Sequence, residues 1–127
     1  MGAKTEFVAN VLRAKLENDP SHWGLRVFKP KTEGGGYVWR NQAMRDYYAA
    51  HGFFPSETMP WTGVVTFFAP AELARLEAIY AEAYWTHESI TRPIEFVFQG
   101  QTHVVNTQFR FVHGDLEHGV ILTRAVF

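Results

Sequence analysis

The chain of 127 residues contains no cysteine. That absence excludes disulfides, thiolate metal ligands, cysteine nucleophiles and any photochemistry that adds a cysteine to a flavin. An excess of charge of one sign is missing too: 12 Lys and Arg stand against 13 Asp and Glu, a formal net charge of -1. The field that a phosphate backbone or an anionic membrane rewards is therefore lacking, and neither is an expected partner. No apolar run approaches the length of a membrane span, and the first twenty residues have no apolar signal core or cleavage pattern. A soluble cytoplasmic protein is the default expectation.

What is present is a globular composition with many rings. Apolar residues make up 46% and charged residues 20%, with 11 Phe, 5 Tyr and 4 Trp, enough to rule out disorder and to build one core. Rings in that number suit a core shaped around a pocket, although they also simply fill cores.

The apolar periodicity orders the elements. Thr5 to Asn18 reads as an amphipathic helix with Phe7, Val8, Val11, Leu12 and Leu16 on one stripe, Thr5 as N-cap, and Asp19-Pro20 as its end. Trp23 to Phe28 and Tyr37 to Arg40 read as strands that pair across a glycine-containing loop. Asn41 caps a helix over Gln42 to His51, and Gly52 stops it in the left-handed region. From Phe53 to Phe68 the pattern is mixed, with short turns and single helical turns expected. A longer helix starts at Pro70 and runs to about Trp85. Three strands follow, Ile94 to Gln99, Val104 to Val112 and Val120 to Phe127, joined by hairpin connections at Gly100-Gln101 and His113-Gly114-Asp115. On the first, Ile94, Phe96 and Phe98 share a face; on the second, Val105, Thr107, Phe109 and Phe111 do. Apolar Val97, Val104, Val112 and Val126 leave the other face needing cover, for which the N-terminal helix is available.

Three motifs in this order resemble the Per-Arnt-Sim (PAS) family of sensory domains. Tyr37-Val-Trp-Arg-Asn41-Gln-Ala43 is similar to the family's strand followed by Asn-x-Ala at a helix start. Gly52-Phe-Phe-Pro55-Ser-Glu57 is similar to its glycine, spacer and proline-x-glutamate, and Glu95-Phe-Val-Phe98 falls in the first strand of the terminal meander. The resemblance spans Trp23 to Phe127. It implies an α+β fold, a five-stranded antiparallel sheet with helices packed on one face and an amphipathic helix leading. Residues 1–20 would then be that cap or dimer element and 21–127 the PAS-like domain. The implied function is a sensory or regulatory module without catalysis that binds a small organic ligand, dimerises and signals to a downstream partner. A chain ending on its last strand is expected to be either an excised sensor or a stand-alone module.

The candidate pocket residues are Phe96, Phe98, Phe109 and Phe111 from the sheet and Trp61, Phe67, Tyr80 and Tyr84 from the helical side, with Asn106 or Gln108 as an isolated polar contact. In an unbroken strand Phe109 and Asn106 face opposite ways, so this set requires a bulge or loses a member. The same rings packed solidly together are the competing expectation.

The cofactor remains unknown at this level. Family members that hold haem carry a histidine within the long helix, where this chain has Leu76, Ile79 and Tyr80; His87, just beyond the helix, is the nearest substitute and reads more simply as a histidine favoured by the helix C-terminus. His103, His113 and His118 match no metal-ligand spacing and read as solvated loop residues, as do His22 and His51. Gly34-Gly-Gly36 lacks the lysine and hydroxyl of a phosphate loop. Asp46, Glu57, Glu95, Asp115 and Glu117 form no nucleophile, base and orienter set; Glu95 is expected to pair with Arg110 or Arg124 across strands. An enzyme of the nuclear-transport-factor-2-like cone fold, with Asp46 or His51 at work, is the rival reading, and a solid-core interaction module is the third. Several helices ahead of the strands would favour the cone; two strands directly after one helix would favour the PAS order.

Overall fold

A computed structural model describes residues 3–29, 35–53, 56–115 and 117–127. Gly34 of the glycine run, and Phe54 and Pro55 of the second motif, lie outside these. The chain begins with helix α1 (Ala3–Leu16), followed directly by strands β1 (His22–Phe28) and β2 (Tyr37–Arg40). Helix α2 (Gln42–Ala50), strand β3 (Thr58–Pro60), the short helix α3 (Trp61–Val64), a 3₁₀ turn over Val65–Phe67 and helix α4 (Pro70–Thr86) come next. Strands β4 (Ile90–Phe98), β5 (Gln101–Gly114) and β6 (Gly119–Val126) finish the chain. Two strands immediately after a single helix is the PAS order, not that of the cone.

All strands belong to one antiparallel sheet in the order β3-β2-β1-β6-β5-β4, which places the first and last strands side by side at its centre. The sheet has six strands, not the five expected. The addition is β3, which pairs its three residues with β2, Met59 opposite Val38. It is a short edge strand ending in proline, whose missing N–H costs little there. Strand β4 is also longer than expected, starting at Ile90 and running through Pro93, because it forms the opposite edge of the sheet.

Alternation divides the sheet into two faces. One carries Arg26 and Phe28 of β1, Val38 and Arg40 of β2, Ile94 and Phe96 of β4, Val105 and Phe109 of β5 and Ile121 of β6, all buried. Trp61, Val64, Leu76, Ile79, Tyr80, Ala83 and Tyr84 pack on this face from α3 and α4. The shared face of Ile94 and Phe96, and that of Val105 and Phe109, is as the alternation predicts.

The other face carries Leu25, Val27, Trp39, Val120 and Leu122, and α1 covers it with Ala9, Leu12 and Leu16. The helix covers this face only in part: of the valines expected to need cover Val112 joins the cluster, whereas Val97, Val104 and Val126 stay exposed, and the rotation of the helix is not as expected either. Thr5 and Ala9 are fully buried, whereas Phe7 is 68% and Val11 43% exposed. Small side chains at i and i+4 let the helix lie close on the sheet, and Phe7 and Val11 then point outward. Thr5 is not an N-cap either: α1 begins at Ala3, and the Thr5 hydroxyl donates to Asp115 Oδ2 at 3.0 Å.

Local chemistry fixes the turns. Asn41 caps α2, its Oδ1 accepting from the Met44 N–H at 3.1 Å, and Gly52 takes φ +81 beyond the helix, both as expected. Gly36 has φ +87, and a Cβ there would lie 1.7 Å from the Val27 carbonyl oxygen, so only glycine lets β2 start against β1. Glu95 stands opposite Val104 and Arg110 opposite Leu122, so the expected Glu95 pairing with Arg110 or Arg124 does not form. The ion pairs of the described residues are Arg26–Glu77, Arg45–Glu17 and Arg75–Glu72.

Candidate functional site

Between the sheet and the helices lies a cavity of ≈ 100 Å³. Its apolar wall comes from Val38, Met44, Trp61, Val64, Phe68, Leu76, Ile94, Val105, Phe109 and Ala125. Polar groups converge from four strands and two helices: His22 and Arg40, Tyr48 and Tyr80, Thr107 and Thr123. Gly24 keeps the space open, since a Cβ there would come within 2.6 Å of the Thr123 hydroxyl oxygen.

Of the residues expected at a pocket, Trp61, Tyr80, Phe96 and Phe109 line this cavity. Phe67 and Phe98 do not; they cluster with Phe53, whose ring centroid is 4.5 Å from that of Phe67 and 4.8 Å from that of Phe98. Tyr84 and Phe111 pack on each other at 5.5 Å, near the β5–β6 hairpin. Asn106 is exposed on the opposite face of β5, and the register shift in that strand falls later, between Phe111 and His113. Parity therefore holds at Asn106, and the polar lining comes from other residues. Thr107 was legible from its face. Arg40 was not, because β2 has apolar side chains on both faces and its alternation carries no signal.

Two arginines are buried on this side of the sheet. Arg26, 2% exposed, has its charge answered although its Nε is buried without an acceptor: Nη1 donates to Glu77 Oε1 at 2.6 Å, and the guanidinium carbon lies 3.5 Å from the Trp61 ring centroid and 4.5 Å from that of Tyr80. Burial pushes the Tyr80 phenol up to about 12, against the opposing pull of Arg26.

Arg40, 7% exposed, is different. It has no acidic partner among the described residues, its Nη1 is buried without an acceptor, and its guanidinium carbon lies 5.6 Å from the centroid of the neutral Tyr48 ring. Burial pushes the Tyr48 phenol up as well, with Arg40 opposing. Among the described residues no Asp or Glu lines the cavity.

Next to Arg40, Asn41 is fully buried and joins four elements. Its Nδ2 donates to the carbonyls of Leu16, Asp19 and Ser21, and its Oδ1 accepts from the N–H groups of Trp23 and Met44. The end of α1, the start of β1, the end of β2 and the first turn of α2 meet on this one side chain.

The remaining candidates lie elsewhere. His87 ends α4 at φ +58 with its ring stacked on Phe111 at 3.8 Å, away from the cavity lining, and ≈ 100 Å³ is far below the several hundred that a haem or flavin fills. Asp46 is exposed and accepts from Gln42, and His51 is exposed beside the Tyr47 carbonyl. Among the described residues no three His, Asp or Glu side chains are placed to share a metal ion, and no helix is long and apolar enough to cross a membrane. A second hollow, ≈ 530 Å³, is lined by Trp61, Thr62, Val65, Pro70, Leu73, Ala74 and Glu77, and its one charged group already serves Arg26.

No protein-family model matches the sequence, and no curated protein does. Solved structures match in shape. The PAS domain of a protein from Colwellia psychrerythraea aligns with 93% of this chain and 95% of its own at 13% identity and a TM-score of 0.60. An RNA-binding light-oxygen-voltage receptor aligns with 96% of this chain at 12% identity and a TM-score of 0.54; the matched part is 33% of that receptor. Identities this low are a likeness of fold.

Proposed function

We infer that this chain, which has the PAS fold, is a sensory or regulatory module without catalysis that binds a small organic molecule between its sheet and its helices. The observation that carries this reading is the cavity itself, with polar groups from six elements turned on one space that a Cβ at Gly24 would invade. Packing alone has no use for Arg40 among them, since a buried cation without a partner is a cost to the fold.

Occupancy would be passed on through Asn41, which follows Arg40 in the chain and holds the end of α1. Residues 1–20 then act as the output element. The exposed Phe7 and Val11, with Leu12 behind them, form the contact for a second copy or a downstream partner. The test is native mass spectrometry of the unlabelled protein with an absorption spectrum of the same sample, followed by thermal unfolding across a library of small metabolites. A retained mass or a ligand-dependent rise in Tm is expected. A bare protein that no compound stabilises would overturn the reading, and a bare monomer would remove the dimer role of α1.

A further inference from the structure

We propose that the ligand of this cavity is a small carboxylate with a short apolar tail, its charge held by Arg40. This rests on the cavity being a binding site and names the chemistry it selects. An arginine guanidinium keeps its charge throughout the working pH range, so burial cannot be relieved by losing a proton. An unpaired buried charge is a large cost to the fold unless something answers it. In the same protein Arg26 shows what an answered guanidinium looks like, with Glu77 at 2.6 Å and aromatic faces around it. Among the described residues Arg40 has the ring of Tyr48 and no acid, and no described carboxylate lines the space it borders. The missing partner is therefore an anion from outside.

Size and lining narrow the class. A cavity of 150 Å³ takes a benzene ring, so ≈ 100 Å³ suits a smaller molecule of about four or five non-hydrogen atoms. The hydroxyl of Thr123 and the ring of His22 offer hydrogen bonds, while the Thr107 hydroxyl already donates to the Val105 carbonyl; Met44, Leu76, Ile94 and Phe109 offer only apolar surface. An inorganic anion would leave that surface without a partner. A planar carboxylate suits the guanidinium fork, and two or three carbons behind it suit the rest.

The test compares isosteres on the whole chain. Propionate, propionamide, 1-propanol, chloride and phosphate are each added at equal concentration and ionic strength, and Tm is read. Propionate is expected to raise Tm by about 3 °C or more near saturation, with the neutral isosteres and inorganic anions giving no comparable shift. Arg40→Met is expected to abolish the propionate shift while leaving the unliganded protein as stable as before or more so, because the buried charge is gone. Arg40→Lys keeps a cation and should bind propionate more weakly. Equal shifts from propionamide, or a propionate shift untouched by Arg40→Met, would overturn the carboxylate and leave the binding site standing. Equal shifts from chloride or phosphate would overturn the organic tail. No shift from any probe, with no uptake of xenon by the cavity, would overturn the site as well. If Arg40→Met does not fold, the comparison of propionate with propionamide on the unaltered protein still decides.

Discussion

Asn41 separates two accounts of one residue. As a cap for α2 it would be replaceable by aspartate, which ranks with asparagine at that position. Its Nδ2, however, donates to three carbonyls, and a carboxylate there would face three oxygens with no proton to offer. Asn41→Asp is therefore expected to destabilise the fold about as much as Asn41→Ala, each by roughly 2–4 kcal/mol in urea unfolding. A tolerated aspartate would reduce Asn41 to a cap. Asp115 gives a second residue-scale expectation. Its carboxylate accepts from the N–H groups of Glu117 and His118 and from the Thr5 hydroxyl, and those bonds hold its pKa down to about 2. A depressed carboxylate stabilises the fold above its unfolded value near 3.9 and loses that contribution as pH falls toward about 2. Asp115→Asn should flatten that part of the stability curve between about pH 4 and pH 2, which acid titration of Tm in both proteins would show.

At the scale of elements, the β4–β5 hairpin holds a correctable strain. Its turn places Gln99 at φ +50 and Gly100 at φ +75, the pair of left-handed residues that a two-residue turn of this twist requires. Glutamine is a poor occupant of the first place and asparagine a good one. Gln99→Asn should raise stability by about 0.5 kcal/mol without moving the register, as amide chemical shifts would report. The hairpin also shows what the sequence makes legible. Tyr37 to Arg40, the helix from Gln42 and the helix from Pro70 can be read directly because their periodicity and caps agree. Strand β3 is too short for any period to appear, and only its pairing with β2 defines it. The first residues of β4 are hidden by Pro93, which an edge position tolerates but no local signal places at an edge. Ring positions facing the helices follow from alternation in β4 and β5. Arg40 and His22 do not, because the two faces of β1 and β2 are both buried and parity cannot say which one meets the cavity.

The whole molecule is built as a sheet with two unequal coverings. The helical side packs two clusters of buried residues around the cavity, whereas α1 buries only Thr5 and Ala9 completely and rests Leu12 and Leu16 against the sheet. Polar attachments hold both ends: Thr5 to Asp115 at its start, and at its end the Leu16 carbonyl to Asn41, with Glu17, the next residue, held by the Gln42 N–H and by Arg45. An element with so small a buried face opens at a free energy below that of global unfolding. Its amides are therefore expected to exchange with deuterium faster than those of β1 and β6, which are paired on both sides at the centre of the sheet. The two ends should then respond differently. Thr5→Val removes the attachment at the hairpin and should speed exchange along α1 in every condition, while leaving β1 and β6 unchanged. Filling the cavity acts next to Asn41 and should slow exchange at the Leu16 end first, in the unaltered chain and in Thr5→Val alike. Exchange of α1 at the global rate, or protection on binding that begins at the Thr5 end, would mean that the helix belongs to the core and that Asn41 is not the route by which the cavity reaches it.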